Sequence, residues 1–153
     1  MDQPLKGRSI LVVEDDVVLA TDLTAQLTEA GCKAILPTTS ISAAASTLVH
    51  YVVDAAVLDV NVQNEWVFPV AHALERAGIP FLFLTAYLRD SIPMEYRGRP
   101  LLQKPHVPRE LVETVVRLLA PAEPGVKLAT VDGEPVSECG SDEPRQASEI
   151  PKR

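Results

Sequence analysis

The chain predicts an α/β fold in which a parallel sheet of five strands is covered by helices on both faces. Short apolar runs alternate with segments of helical period, the signature of strand–helix–strand units. The best runs, Ile10–Val13, Ala55–Leu58 and Phe81–Leu84, are apolar at every position. A strand with one wet face alternates, so continuous runs imply burial on both faces.

Taken in order, residues 1–8 are an N-terminal lead, and Ser9–Val13 is the first strand. Residues 17–30 form a helix, with Leu19, Leu23 and Leu27 at every fourth position and Gly31 as the stop. Asp16 is read as its cap. Lys33–Leu36 is a weaker second strand, expected to end at Pro37. Ser40 or Ser42 caps a second helix carrying Ala44, Ala45, Leu48 and Val49 on one face. Ala55–Leu58 is the third strand. Val67, Val70, Ala71 and Leu74 follow at helical spacing, closed by Gly78. Phe81–Leu84 is the fourth strand. Over residues 86–99, Pro93 and Gly98 oppose a long helix. Pro100–Gln103 is the fifth strand, and residues 109–119 a last helix with Leu111, Val115 and Leu118 inward. Right-handed crossovers leave few topologies, and five strands favour the doubly wound, flavodoxin-like order 2-1-3-4-5.

Residues 9–120 thus make one domain. From Pro121 to Arg153 the period is lost, and five Pro, three Gly and three Ser interrupt the chain. This stretch is read as a disordered acidic tail, with a hairpin turn at Val131-Asp132-Gly133 the alternative. No effector domain is expected beyond it. A net charge of −7 opposes nucleic-acid phosphates. The chain has no apolar run of spanning length and no signal-peptide pattern. Cys32 and Cys139, far apart, form neither a disulfide framework nor a zinc site, which fits a reducing cytoplasm.

In an open parallel sheet, ligands bind beyond the carboxyl ends of the strands. Glu14, Asp15 and Asp16 follow strand one; Asp59 and Asn61 follow strand three; Thr85 and Lys104 follow strands four and five. Two unit charges at 4 Å cost about 4 kcal/mol at an effective dielectric of 20, so such clustered carboxylates want a cation or a proton. Hard oxygen donors suit Mg²⁺, which takes one or two carboxylates and keeps water and phosphate oxygens. Asp59 is then a shielded carboxylate nucleophile, with Thr85 and Lys104 able to meet phosphoryl oxygens.

The segments Ile10-Leu-Val-Val-Glu-Asp-Asp16, Val57-Leu-Asp-Val-Asn61, Leu84-Thr-Ala86 and Gln103-Lys-Pro105 resemble the receiver domains of two-component response regulators. Four motifs in register are far more specific than one. The resemblance implies that Asp59 is the phosphoacceptor, that Glu14, Asp15 and Asp59 hold Mg²⁺, and that Asn61 lends its backbone carbonyl. It implies that Thr85 is the switch hydroxyl, that Lys104 contacts the phosphoryl group, and that the Lys104–Pro105 peptide is cis. Pro80-Phe-Leu-Phe-Leu-Thr-Ala-Tyr87 is similar to the signature of the stand-alone "FAT GUY" receivers of alphaproteobacteria, which pair with HWE or HisKA2 sensor kinases. Leu84 and Ala86 depart from that signature. Leu101 stands where most receivers carry a switch aromatic, so Tyr87 is a candidate substitute and equally a packing residue.

The implied function is a phosphorylation-dependent signal, not turnover. The partners are a sensor histidine kinase or phosphotransfer protein and a downstream protein, with a homodimer left open, and neither nucleic acid nor membrane. The competing reading is a Mg²⁺-dependent phosphohydrolase of the haloacid dehalogenase type. Such enzymes place a second acid two residues after the nucleophile, where this chain has Asn61. A dinucleotide site needs glycines in the first loop, which Glu14–Val18 lacks. A receiver-like docking module without phosphate is opposed by the intact set of acids, Thr85 and Lys104. His50, His72 and His106 are read as surface residues, and Trp66 as a partly buried loop anchor.

Overall fold

Five parallel strands form one sheet in the order β2-β1-β3-β4-β5: β1 (Ser9–Val13), β2 (Ala34–Thr38), β3 (Ala55–Leu58), β4 (Phe81–Thr85) and β5 (Leu101–Gln103). The computed structural model describes residues 2–120. The expected tail over 121–153, with its hairpin turn, lies outside the described residues. Four α-helices are present among the described residues: α1 (Val17–Glu29), α2 (Ile41–His50), α3 (Phe68–Ala77) and α4 (Pro108–Leu119). None of them is long and apolar enough to cross a membrane.

The apolar runs are explained by two cores, one on each face. Successive strand residues point to opposite faces. Leu11, Val13, Ala56, Leu58, Phe81 and Phe83 join Ala44 of α2 and Val70, Ala71 and Leu74 of α3. The intervening Ile10, Val12, Ala55, Val57, Leu82 and Leu84 join Leu23 and Leu27 of α1 and Leu111 and Val115 of α4. Leu5 of the lead is buried in this second core, and its N–H donates to Ala30 O at 2.9 Å.

Two expectations for the β2–α2 region are corrected. Pro37 does not end the second strand but lies inside it, opposite Val12. Proline is tolerated there because β2 is an edge strand, where one side of the backbone needs no ladder partner. In α2, Ala44 is buried and Leu48 packs on the core, but Ala45 is exposed and Val49 is 79% exposed. A 100° turn per residue carries Ala45 and Val49 off the Ile41–Ala44–Leu48 face. Ser40 is the cap, its Oγ accepting from Ala43 N–H at 3.1 Å.

Residues 86–99 hold two 3₁₀ turns, Arg89–Ser91 and Met94–Tyr96, instead of a long helix. Ile92 and Tyr96 anchor them in the core. Arginine side chains then satisfy carbonyls that a helix would pair internally. Arg97 donates to Ile92 O at 2.8 Å and Asp90 O at 3.2 Å, and Arg89 donates to Arg97 O at 2.8 Å.

Gly78 closes α3 with φ of +74°. A Cβ there would meet no neighbour, so substitution tests backbone conformation alone. Gly78→Ala is expected to destabilise by about 1 kcal/mol through the left-handed penalty. Urea denaturation should show the shift as a lower midpoint at unchanged slope.

Candidate functional site

Strand register builds the site. Val13 lies between Thr38 and Leu58, so the next residues, Glu14 and Asp59, emerge side by side. Their backbones stay tied: Glu14 N–H donates to Thr38 O at 3.0 Å and Asp59 N–H to Val13 O at 2.9 Å. On the other side, Thr85 pairs with Gln103, and Lys104 N–H donates to Thr85 O at 2.8 Å. β1, β3 and β5 end one residue before Glu14, Asp59 and Lys104, whose side chains meet in a common mouth, whereas Thr85 is itself the last residue of β4.

The centre is a lysine shared by two acids. Lys104 Nζ donates to Glu14 Oε1 at 2.8 Å and to Asp59 Oδ2 at 3.0 Å. Glu14 and Asp59 are buried, at 2% and 8% exposure. Buried ions need such partners, because each loses its hydration. Burial raises the Glu14 carboxyl above its ordinary value, against the bonds from Lys104 Nζ and Asp16 N–H. Burial also pulls the Lys104 ammonium down, but its bonds to Glu14 and Asp59 outweigh this and leave it raised.

Asp15 completes the acidic triad. Glu14, Asp15 and Asp59 each offer an oxygen, and these lie within 4.8 Å of one another. One ammonium against three carboxylates leaves an excess of negative charge. Three hard oxygens around one point, with Asp15 exposed, fit a divalent ion that retains water. Asp15 Oδ2 accepts from Gln63 N–H at 2.7 Å, a contact that sequence reading missed. Gln63 and Asn64 both have positive φ, 51° and 63°. They turn a small antiparallel hairpin in which Asn61 pairs with Trp66 and Val62 with Glu65. Neither residue is glycine, so the usual Asn-Gly signal for such a turn was not present.

The other expected residues take varied places. Asn61 opens this hairpin, and its N–H reaches Asp59 Oδ1 at 3.4 Å. Thr85 is fully buried, and its Oγ accepts from Tyr87 N–H at 3.0 Å. The hydroxyl hydrogen therefore remains available to donate. Leu101 is half-buried against the α2–α3 core. The Lys104–Pro105 peptide is cis. Asp16 stays outside the triad and caps α1, its Oδ1 accepting from Leu19 N–H at 3.2 Å.

One surface reading is corrected. His106 is half-buried, its Nε2 lying 2.9 Å from Gln26 Oε1, and burial lowers its basicity. It lines a hollow of about 490 Å³ with Leu19, Asp22, Gln26, Lys104 and Pro108. Trp66 is 48% exposed on the hairpin and touches Tyr87 edge-on, with centroids 5.5 Å apart. His50 and His72 are exposed.

Comparison with solved structures gives a consistent set of neighbours. SdrG from Sphingomonas melonis Fr1 is 33% identical, with a TM-score of 0.66 over 74% of this chain and 98% of SdrG. The non-phosphorylated HemR receiver domain from Leptospira biflexa is 26% identical, with a TM-score of 0.64 over 78% of this chain and 99% of that domain. The chemotaxis response regulator CheY4 of Vibrio cholerae, at 21% identity and a TM-score of 0.66, shares the fold over 74% of this chain and its own full length. No protein-family profile and no curated protein sequence matches the chain.

Proposed function

The chain belongs to the response regulator receiver domains, and on that premise we propose that it takes a phosphoryl group from a phosphohistidine onto Asp59 and signals by changed partner binding. The observation that carries this reading is the bridge from Lys104 Nζ to Glu14 Oε1 and Asp59 Oδ2. It joins three segments at the point where a phosphoryl group would have to be held.

Glu14, Asp15 and Asp59 are the residues to hold Mg²⁺, which when bound supplies charge neutralisation to the phosphoryl oxygens. The rest falls to the chain. An Asp59 oxygen attacks phosphorus as the phosphorus–nitrogen bond of the donor breaks. The electron pair stays on the imidazole, and no proton is needed from Asp59. Lys104 then shifts from the carboxylate to a phosphoryl oxygen, keeping its ammonium paired. Thr85 donates its hydroxyl hydrogen to another oxygen. Its Oγ already accepts from Tyr87 N–H, so a rotation of Thr85 is felt in the 85–88 loop.

The segment Pro80–Tyr87 supports the narrower assignment to FAT GUY receivers and, with it, a sensor kinase of the HWE or HisKA2 type in the cytoplasm. Such a domain assists its own phosphorylation and dephosphorylation without turning over a substrate. Asn61 supplies no acid for the phosphohydrolase alternative.

Phosphotransfer profiling tests the proposal. The autophosphorylated histidine kinases and phosphotransfer proteins of the source organism are each incubated briefly with the chain. One or two donors are expected to lose label to the chain within seconds to minutes, and HWE or HisKA2 kinases should be among them. Transfer from none of them, together with no labelling by acetyl phosphate, would reject the function.

A further inference from the structure

We propose that the Asn61–Trp66 hairpin is a positioning element that couples ion binding at Asp15 to the loop after Thr85, with Trp66 and Tyr87 as its second handle. This rests on the reading of Glu14, Asp15 and Asp59 as ion ligands.

Two contacts at opposite ends of the hairpin carry the inference. At the tip, Gln63 N–H holds Asp15 Oδ2 at 2.7 Å. Asp15 is exposed, and no other hydrogen bond restrains its carboxylate among the described residues. At the base, the Trp66 ring meets the Tyr87 ring edge-on at 5.5 Å. Tyr87 in turn donates its N–H to Thr85 Oγ at 3.0 Å. A continuous route thus runs from a candidate ligand of the ion to the hydroxyl that would meet the phosphoryl group.

The hairpin can transmit because it is stiff. A two-residue turn with both φ positive matches the natural twist of paired strands. Val60, Val62 and Val67 are fully buried at its base, and Val67 N–H donates to Val60 O at 2.9 Å. Trp66 also stacks on Phe68, with centroids 6.0 Å apart, and Phe68 stacks on the buried Tyr96 at 5.8 Å. Tip and base therefore move as one body about a fixed root. Ordering the carboxylate of Asp15 before the ion arrives removes part of the entropic cost of binding. Loosening the Trp66–Tyr87 contact frees the hairpin and returns that cost. Linkage makes the effect mutual, so ion binding must also tighten the aromatic contact.

Trp66 and Tyr87 are 48% and 41% exposed, and neither belongs to the acidic triad, so their substitution leaves core and ligands in place. The test is Mg²⁺ affinity, by calorimetry, in wild type, Trp66→Ala, Tyr87→Ala, the double variant and Trp66→Phe. Each Ala variant is expected to bind Mg²⁺ about 3- to 10-fold more weakly, at unchanged circular dichroism. The double variant should be no weaker than the weaker single variant, and Trp66→Phe should recover most of the loss. Asn64→Val, which opposes the positive φ, should weaken binding as well, while Asn64→Gly should not. Affinities within 1.5-fold of wild type, losses that add in the double variant, or no recovery with Phe would overturn the coupling. Wild-type chain that binds no Mg²⁺ would instead reject the ion site itself.

Discussion

Asp59→Ala is expected to reduce phosphate incorporation from acetyl phosphate plus Mg²⁺ to background, about a hundredfold or more below wild type. The donor is small, so the experiment needs no partner surface and isolates the carboxylate. Ala removes the nucleophile but not the neighbouring acids. Glu14 is held by Lys104 Nζ and by Asp16 N–H, at 2.8 and 3.1 Å. Asp15 is held at the hairpin tip. Neither is free to swing into the vacated position without breaking those bonds. The wild-type label should be lost to hydroxylamine, as expected for an acyl phosphate, and should require the divalent ion. An Ala variant labelled as strongly as wild type would move the phosphoacceptor elsewhere.

The second large effect is on stability. Lys104→Met keeps most of the side-chain volume but strips from Glu14 and Asp59 the only ammonium that pairs with them among the described residues. Breaking a fully buried pair costs about 3–5 kcal/mol, and the Lys104 side chain is 19% exposed, so about 2–3 kcal/mol is expected at neutral pH. In a domain of this size that is about 5–15 °C in melting temperature. The pH dependence follows from the two shifts. The Lys104 value is raised by its acidic partners, so its stabilisation is complete below the ordinary lysine range and fades only as pH rises through the folded value. The Glu14 value is raised by burial, so its charge opposes folding above that value and the penalty is relieved as pH falls. In the Met variant the penalty grows, and the deficit should therefore shrink as pH falls toward the carboxylate range. Mg²⁺ should raise the melting temperature of the variant more than that of wild type, because a second source of positive charge replaces the first. An equal rise in both, or a deficit that does not change between neutral and mildly acidic pH, would show that the lysine does not balance this cluster.

These expectations differ in how much of their basis is legible in the chain itself. β1, β3 and β4 announce themselves because strands covered on both faces need a side chain of the same kind at every position. The ends of those strands then locate Glu14, Asp59 and Thr85 with no coordinates at all. α2 was less legible. Its run of small residues fits several faces, and the neighbouring β1 and α3 select the one containing Ala44. Pro37 reads as a terminator until the strand order makes β2 an edge.

By itself the sequence determined the layering of the sheet and the strand ends after which Glu14, Asp15 and Asp59 follow, because periodicity and strand ends are local properties of the chain. Only the tertiary structure decided that one lysine serves two acids, that Gln63 N–H holds Asp15, and that Trp66 rests on Tyr87. Those contacts join residues on different elements, with 90 positions between Lys104 and Glu14 and 48 between Gln63 and Asp15. Their distances depend on strand register and on two residues with positive φ. Neither leaves a periodic trace along the chain.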